Sequence, residues 1–198
     1  MKISKILLRE IDELYRPIIN NLEVEHQKVL VLFSGPPSSG KSTVAKQIEK
    51  HFKAIRLEND QIRNIATKLF PIATADWKSE LTYKYMSGLR DSLLNETRNG
   101  LWIIDASIDV NYKFLYDFAK KHHFIVVLLA MEIPEPLRRE WIIKTGDRAF
   151  ATTERYLEVM DIRKKQHDTF LLNHTPDMFL GTDYRIEDVF DLISTKLS

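Results

Sequence analysis

Lys28-Val-Leu-Val-Leu-Phe-Ser-Gly35-Pro-Pro-Ser-Ser-Gly-Lys41-Ser42-Thr43 joins three kinds of sequence in quick succession. The first, Lys28 to Phe33, is a short apolar run rich in β-branched residues. That composition marks a strand buried on both faces, as in a covered parallel sheet. The second, Gly35 to Ser42, is a turn of Gly, Pro and Ser in the full G-x-x-x-x-G-K-[ST] pattern. From Thr43 to about Phe52, Val44 and Ile48 then fall at helical spacing. At average residue usage a chain of this length matches the loop pattern by accident about once in a hundred. The strand before it and the helix after it supply the context that the chemistry needs.

Backbone N–H groups of such a loop converge on phosphate oxygens, and the helix N-terminus adds its positive dipole end. Gly35, Pro36, Pro37, Ser38, Ser39, Gly40, Lys41, Ser42 and Thr43 are therefore the expected nucleotide contacts. Gly40 lets the backbone approach closely, Lys41 reaches the β- and γ-phosphates, and Ser42 offers a hydroxyl to Mg²⁺. The pattern implies a nucleoside triphosphate bound with Mg²⁺.

Outward from the loop, apolar runs alternate with helical periodicity. Further strands are expected at Ala54–Leu57, Leu101–Asp105, Phe124–Ala130 and, weakly, Asp177–Gly181. Helical spacing covers Ile3 to about Leu22, Gln61–Leu69, Trp77–Asn99, Tyr112–Lys121, a long stretch from Pro136 to about Leu172, and Ile186–Leu197. Strands separated by helices predict an α/β three-layer fold: a five-stranded parallel sheet with right-handed crossovers and helices on both faces.

The 198 residues suit one substantial core. Lys+Arg 29 against Asp+Glu 28 leaves a net charge of +1, so nothing global draws the chain to nucleic acid or lipid. With no cysteine, disulfides, thiolate zinc sites and cysteine nucleophiles are excluded. This fits a reducing, cytoplasmic setting. No apolar run approaches the roughly 18 residues of a membrane span.

Two acidic residues stand at expected strand ends. Asp105 closes Leu101-Trp-Ile-Ile, which suits either a magnesium carboxylate or the cap of the next helix. Asp60 opens a helix after the second strand, with Arg63 one turn on. Phosphoryl transfer to an alcohol needs a carboxylate to take the hydroxyl proton, and an arginine can clamp an acidic acceptor. By local pattern alone, an N-cap Asp with a solvated Arg is the better reading.

The order of phosphate loop, strand, Asp60-x-Ile62-Arg63 and then Gly100-Leu-Trp-Ile-Ile-Asp105-Ala106 resembles the small P-loop kinase family. That family includes polynucleotide 5′-hydroxyl kinases, adenylylsulfate kinases and zeta-toxin-type sugar-nucleotide kinases. The resemblance runs from about Val29 to the C-terminus. It implies an ATP-dependent phosphotransferase with Asp60 activating the acceptor hydroxyl, Arg63 binding acceptor, and a helical lid after the fourth strand. The acceptor is left open among a small molecule, a nucleotide and a nucleic-acid 5′ end. In the lid stretch lie Arg138, Arg139, Arg148 and Arg155. The family's usual pair of arginines four apart is missing, since Ile143 stands four after Arg139. Arg139 and Arg148 are the preferred catalytic pair.

The resemblance also divides the chain into an N-terminal helical extension at 1–27 and a kinase domain at 28–198. Two alternatives stay open: a zeta-toxin-like sugar-nucleotide kinase, and a non-kinase ATP-binding switch acting through the N-terminal helix. Tyr85, on the helical stretch that would cover the acceptor, is a candidate for substrate contact, although core packing is the commoner fate of such aromatics. The six histidines, His167 among them, show no ligand spacing and are expected at the surface or at helix ends. Oligomeric state leaves no mark in the sequence.

Overall fold

The computed structural model describes residues 2–20, 27–72, 74, 77, 80–82, 85, 86, 100–145 and 153–198. The strands are β1 (Lys28–Ser34), β2 (Ile55–Glu58), β3 (Gly100–Ser107), β4 (Ile125–Met131) and β5 (Met178–Leu180). They form one sheet in the order β2-β3-β1-β4-β5, and every pairing is parallel. Each of the five apolar runs becomes a strand, shifted by at most a few residues from its expected place.

The helices are α1 (Lys2–Asn20), α2 (Lys41–Phe52), α3 (Asn59–Leu69), α4 (Tyr112–Lys121), α5 (Glu135–Thr145), α6 (Thr153–Leu171) and α7 (Ile186–Leu197). The single long helical stretch expected after the fourth strand is two elements, α5 and α6. Most of the stretch expected as helix at Trp77–Asn99 lies outside the described residues, and its described positions at 77, 80–82, 85 and 86 are helical.

Alternation along β1 explains the three layers. Val29, Val31 and Phe33 face one side, where they meet Val44 and Ile48 of α2 and Val189 and Ile193 of α7. Leu30 and Leu32 face the other, with Ile62 of α3, Leu115 and Phe118 of α4, and Phe170 of α6. A strand buried on both faces cannot alternate polar and apolar residues, which is why Lys28–Phe33 reads as an unbroken apolar run.

The N-terminal helix shares the second of these cores. Its Leu7, Ile11 and Tyr15 are buried there beside Ile55 and Leu57. It runs through Pro17 without interruption. Burial pushes the Tyr15 hydroxyl up to about 12, so it stays protonated. That hydroxyl accepts the backbone N–H of Glu58 at 3.4 Å, just ahead of α3. Among the described residues no helix is long and apolar enough to cross a membrane.

Strand order reverses at β1, because β3 lies on one flank of it and β4 on the other. Such a switch point opens a crevice at the carboxyl ends of the strands. The phosphate loop leaves β1 at that point.

Candidate active site

Gly35 and Gly40 set the path of the loop, with φ of 147° and 90°. A Cβ on Gly35 would stand 2.9 Å from the Cβ of Met131, at the end of β4. Only glycine fits that conformation and that contact. Gly35→Ala should therefore cost about 1–3 kcal/mol through backbone strain alone. At about 2–4 °C per kcal/mol for a chain of this size, thermal denaturation should show a melting point roughly 5 °C lower. An unchanged melting point would mean that the loop takes another path.

Gly40 is the N-cap of α2, and no side chain caps that helix. Its first N–H groups and dipole thus point into the crevice, where an anion is the natural partner. The Lys41 ammonium lies along the loop, donating to the Gly35 carbonyl at 2.9 Å, the Pro36 carbonyl at 2.6 Å and Ser39 Oγ at 3.3 Å. Burial pushes its pKa down to about 8, against the pull of Asp109 and Asp105 and with a further push from Arg138.

Ser42 and Asp105 meet as the sequence pattern anticipates for a magnesium pair. The Ser42 hydroxyl donates to Asp105 Oδ1 at 2.8 Å. A β-bulge brings this about: β1 and β3 stay in register to Leu32–Ile104, after which Phe33 pairs with Ser107. Neutral and anionic oxygens side by side suit a hard cation such as Mg²⁺. Among the described residues no group of three or more His, Cys, Asp or Glu could hold a metal by itself. Phosphate and water oxygens would have to complete the shell, which is Mg²⁺'s usual habit beside nucleotides.

Nothing in the sequence marks Arg56, yet it organises this corner. Its guanidinium is buried and donates to Glu49 Oε2 at 2.7 Å, Glu58 Oε2 at 2.6 Å and Asp105 Oδ2 at 2.6 Å. Burial works against the charge, but the hydrogen bonds to Glu49, Asp105 and Glu58 outweigh it and raise the Arg56 pKa above its usual value. Asp105 is thereby held through both oxygens, one by Ser42 and one by Arg56.

Asp109 also enters the site unannounced. The next helix, α4, begins at Asn111 with no side-chain cap, so Asp109 does not cap it. Asp109 instead turns under the phosphate loop, where it accepts the Gly35 N–H at 3.3 Å and the hydroxyls of Ser34 at 2.6 Å and Ser107 at 2.8 Å. His167 approaches from α6, so the expectation of a surface or helix-end histidine fails there: its ring is buried. Burial works to raise the Asp109 pKa, yet the His167 ring close by and the hydrogen bonds from Ser34 and Ser107 outweigh it and hold the carboxyl below its usual range.

Of the arginines after β4, Arg138 is the buried one. Its Nε and Nη2 hold Glu135, while Nη1 is enclosed without a hydrogen-bond partner among the described residues. A buried, unsatisfied guanidinium N–H costs about 1–3 kcal/mol or more unless something accepts it. Its charge helps push the Lys41 pKa down. Arg139 points elsewhere and is half-exposed between Glu135 at 2.7 Å and Asp161 at 3.1 Å. Arg148 lies outside the described residues, as does the side chain of Arg155.

On the acceptor side, Asp60 and Arg63 open α3 and pair with each other at 2.6 Å, both exposed to solvent. Tyr85 is buried in the core rather than presented at a cavity. Its neighbour Met86 lines a small cavity of about 40 Å³ with Asn59, Ala106, Ser107 and Asn111.

A family model described as an AAA domain, AAA_33, matches residues 30–168. Among solved structures, a candidate kinase from Chloroflexus aurantiacus superposes with a TM-score of 0.62 at 12% identity, covering 87% of this chain and 100% of that one. APS kinase of Mycobacterium tuberculosis, solved with AMPPNP and APS, gives 0.53 at 15% identity, covering 85% and 98%. Shikimate kinase of Acinetobacter baumannii, solved with shikimate, gives 0.52 at 16% identity, covering 88% and 97%. At these identities the likeness is one of fold. No curated protein matches the chain in sequence.

Proposed function

Because the chain belongs to the AAA_33 family of AAA domains, with the fold of small P-loop kinases, we propose that it transfers the γ-phosphoryl group of ATP to a hydroxyl acceptor. The observation that carries this reading is the phosphate loop itself: Lys41 is laid along it at the uncapped N-terminus of α2, next to the bonded Ser42–Asp105 pair, and Arg138 Nη1 is buried without a hydrogen-bond partner among the described residues. A triphosphate in the loop would supply the acceptor that Nη1 lacks. Lys41 and the open N-terminus of α2 bind the phosphates, and Ser42 and Asp105 hold Mg²⁺. When bound, the metal neutralises charge on the phosphate oxygens. Arg138 and Lys41 then face the charge that spreads over the transferring group. Arg139 and Arg148 remain lid candidates, to be drawn in when the lid closes.

Asp60 takes the proton of the incoming hydroxyl, and Arg63 is released from it to bind the acceptor. Their mutual ion pair in the free protein is exposed, and such pairs are worth only about 0–1 kcal/mol. An acidic acceptor therefore displaces it at small cost. Residues 28–198 carry this chemistry, and residues 1–27 are an N-terminal extension whose helix α1 packs against the core.

The test is ADP release from ATP·Mg²⁺ across a panel of acceptors: small alcohols, nucleosides, sugar nucleotides and oligonucleotides with a free 5′ hydroxyl. One class should raise turnover well above the background with water. Slow turnover unaffected by every acceptor would favour the alternative of a nucleotide-dependent switch. For the zeta-toxin-like alternative, expression should arrest growth, and Lys41→Ala should relieve the arrest.

Proton linkage gives a second test of the same site. With a pKa of about 8, Lys41 is neutral in much of the free protein at pH 9. Bound phosphates favour its charged form and raise that pKa. Nucleotide binding should then take up almost no proton at pH 6.5 and approach one at pH 9, and affinity should fall as pH rises through 8. Calorimetry in two buffers of different ionisation enthalpy measures the uptake, which should vanish in Lys41→Ala.

A further inference from the structure

Three buried polar side chains from distant parts of the chain meet beneath the phosphate loop. Ser34 ends β1, Asp109 lies in the turn after β3, and His167 sits on α6. The Ser34 hydroxyl has one proton, and the Asp109 carboxylate, 2.6 Å away, can only accept it. Ser34 Oγ must then accept from His167 Nδ1 at 2.8 Å, which makes Nδ1 the protonated nitrogen of that ring. The second Asp109 oxygen takes Ser107 Oγ at 2.8 Å and the Gly35 N–H at 3.3 Å. The side chains of His167 and Asp109 are only 7% and 3% exposed.

We propose that His167 is a positioning residue for nucleotide binding: it orients Ser34 and Asp109, fixes the entry of the phosphate loop, and ties that entry to α6. The inference rests on reading the loop as the nucleotide site. A buried carboxylate next to a phosphate site is an electrostatic liability, and its charge is already felt at Lys41. Its lone pairs must be occupied if Lys41 is to turn to the nucleotide. The His167 donor aims the Ser34 proton at Asp109 and leaves the other oxygen to Ser107 and Gly35. Without that donor, Ser34 is free to rotate, Asp109 loses an oriented partner, and Gly35 loses the acceptor that sets its peptide. The same chain of bonds joins α6, which follows the arginine-bearing stretch, to the first glycine of the cradle.

Two variants of the full chain separate donor from bulk. His167→Leu fills space but donates nothing, whereas His167→Asn places an amide N–H near the position of Nδ1. Both lose ring packing and should melt earlier than the parent. Binding of N-methylanthraniloyl-ATP with Mg²⁺ is measured by fluorescence where circular dichroism shows each protein folded. His167→Leu should weaken binding about tenfold, as expected when a buried acceptor loses its donor. Binding by His167→Asn should stay within about twofold of the parent, the scatter expected of an uncoupled change. Parental binding by His167→Leu would overturn the proposal, and so would equal weakening in both variants, since ring volume alone would then explain it. Lys41→Ala serves as control. If it too binds like the parent, the phosphate-loop reading itself falls, and this inference with it.

Discussion

Lys41→Ala should lower kcat/KM for phosphoryl transfer about a thousandfold, the upper range seen when a preorganised charge-stabilising donor is removed from an active site. Its ammonium is the cation laid along the loop, within 3 Å of the Gly35 and Pro36 carbonyls. From there it needs only a side-chain rotation to reach bound phosphate. The loss should fall on both binding and turnover, because the charge meets ground-state phosphates and the developing transition state alike. Lys41→Arg should recover little, since a planar fork does not fit a position shaped for a point charge. Stability should not fall, because burial already works against the Lys41 charge. Steady-state kinetics with a melting curve for each variant separate these effects. A loss confined to KM would mean that Lys41 only binds.

Arg56→Leu should be the most damaging change away from the reacting atoms. It leaves Glu49, Glu58 and Asp105 without their shared cation. Breaking a buried ion pair by removing one partner costs about 3–5 kcal/mol. At about 2–4 °C per kcal/mol, the melting point should fall by roughly 10 °C. Activity should fall further than unfolding explains, because Asp105 loses the bond that holds Oδ2 and with it the geometry offered to Mg²⁺. Raising Mg²⁺ should therefore restore part of the rate in the folded fraction. A variant with parental stability would show that the three carboxylates find other partners.

Much of this was readable in advance. Strands buried on both faces are written as unbroken apolar runs, so Lys28–Phe33 and Phe124–Ala130 reveal themselves and their parallel setting. The phosphate loop is readable because its chemistry needs fixed residues at fixed spacing within one turn. Ser42 and Asp105 could be paired because one stands at a fixed place in the loop motif and the other near the carboxyl end of an apolar run. What stayed hidden depends on tertiary contact. Arg56 sits in a four-residue strand and resembles any solvated arginine until β3 brings Asp105 beside it. His167 has its partners in Ser34 and Asp109, far away in sequence, so no spacing rule could find it. Which arginine is buried turns on the rotation of α5: Arg138 and Arg139 are adjacent, yet one is buried against Glu135 and the other reaches Asp161 at the surface. Tyr85 fell to the core for the ordinary reason that an aromatic at helical spacing buries well.

Transfer of phosphate to a hydroxyl activated by Asp60 can be followed with radiolabel from [γ-³²P]ATP. With the acceptor class found in the panel, Asp60→Asn should lose at least about a hundredfold in labelled product, as expected for a positioned general base. ATP affinity and the slow release of phosphate to water should be retained. Labelled product formed at the parental rate by Asp60→Asn would contradict the account.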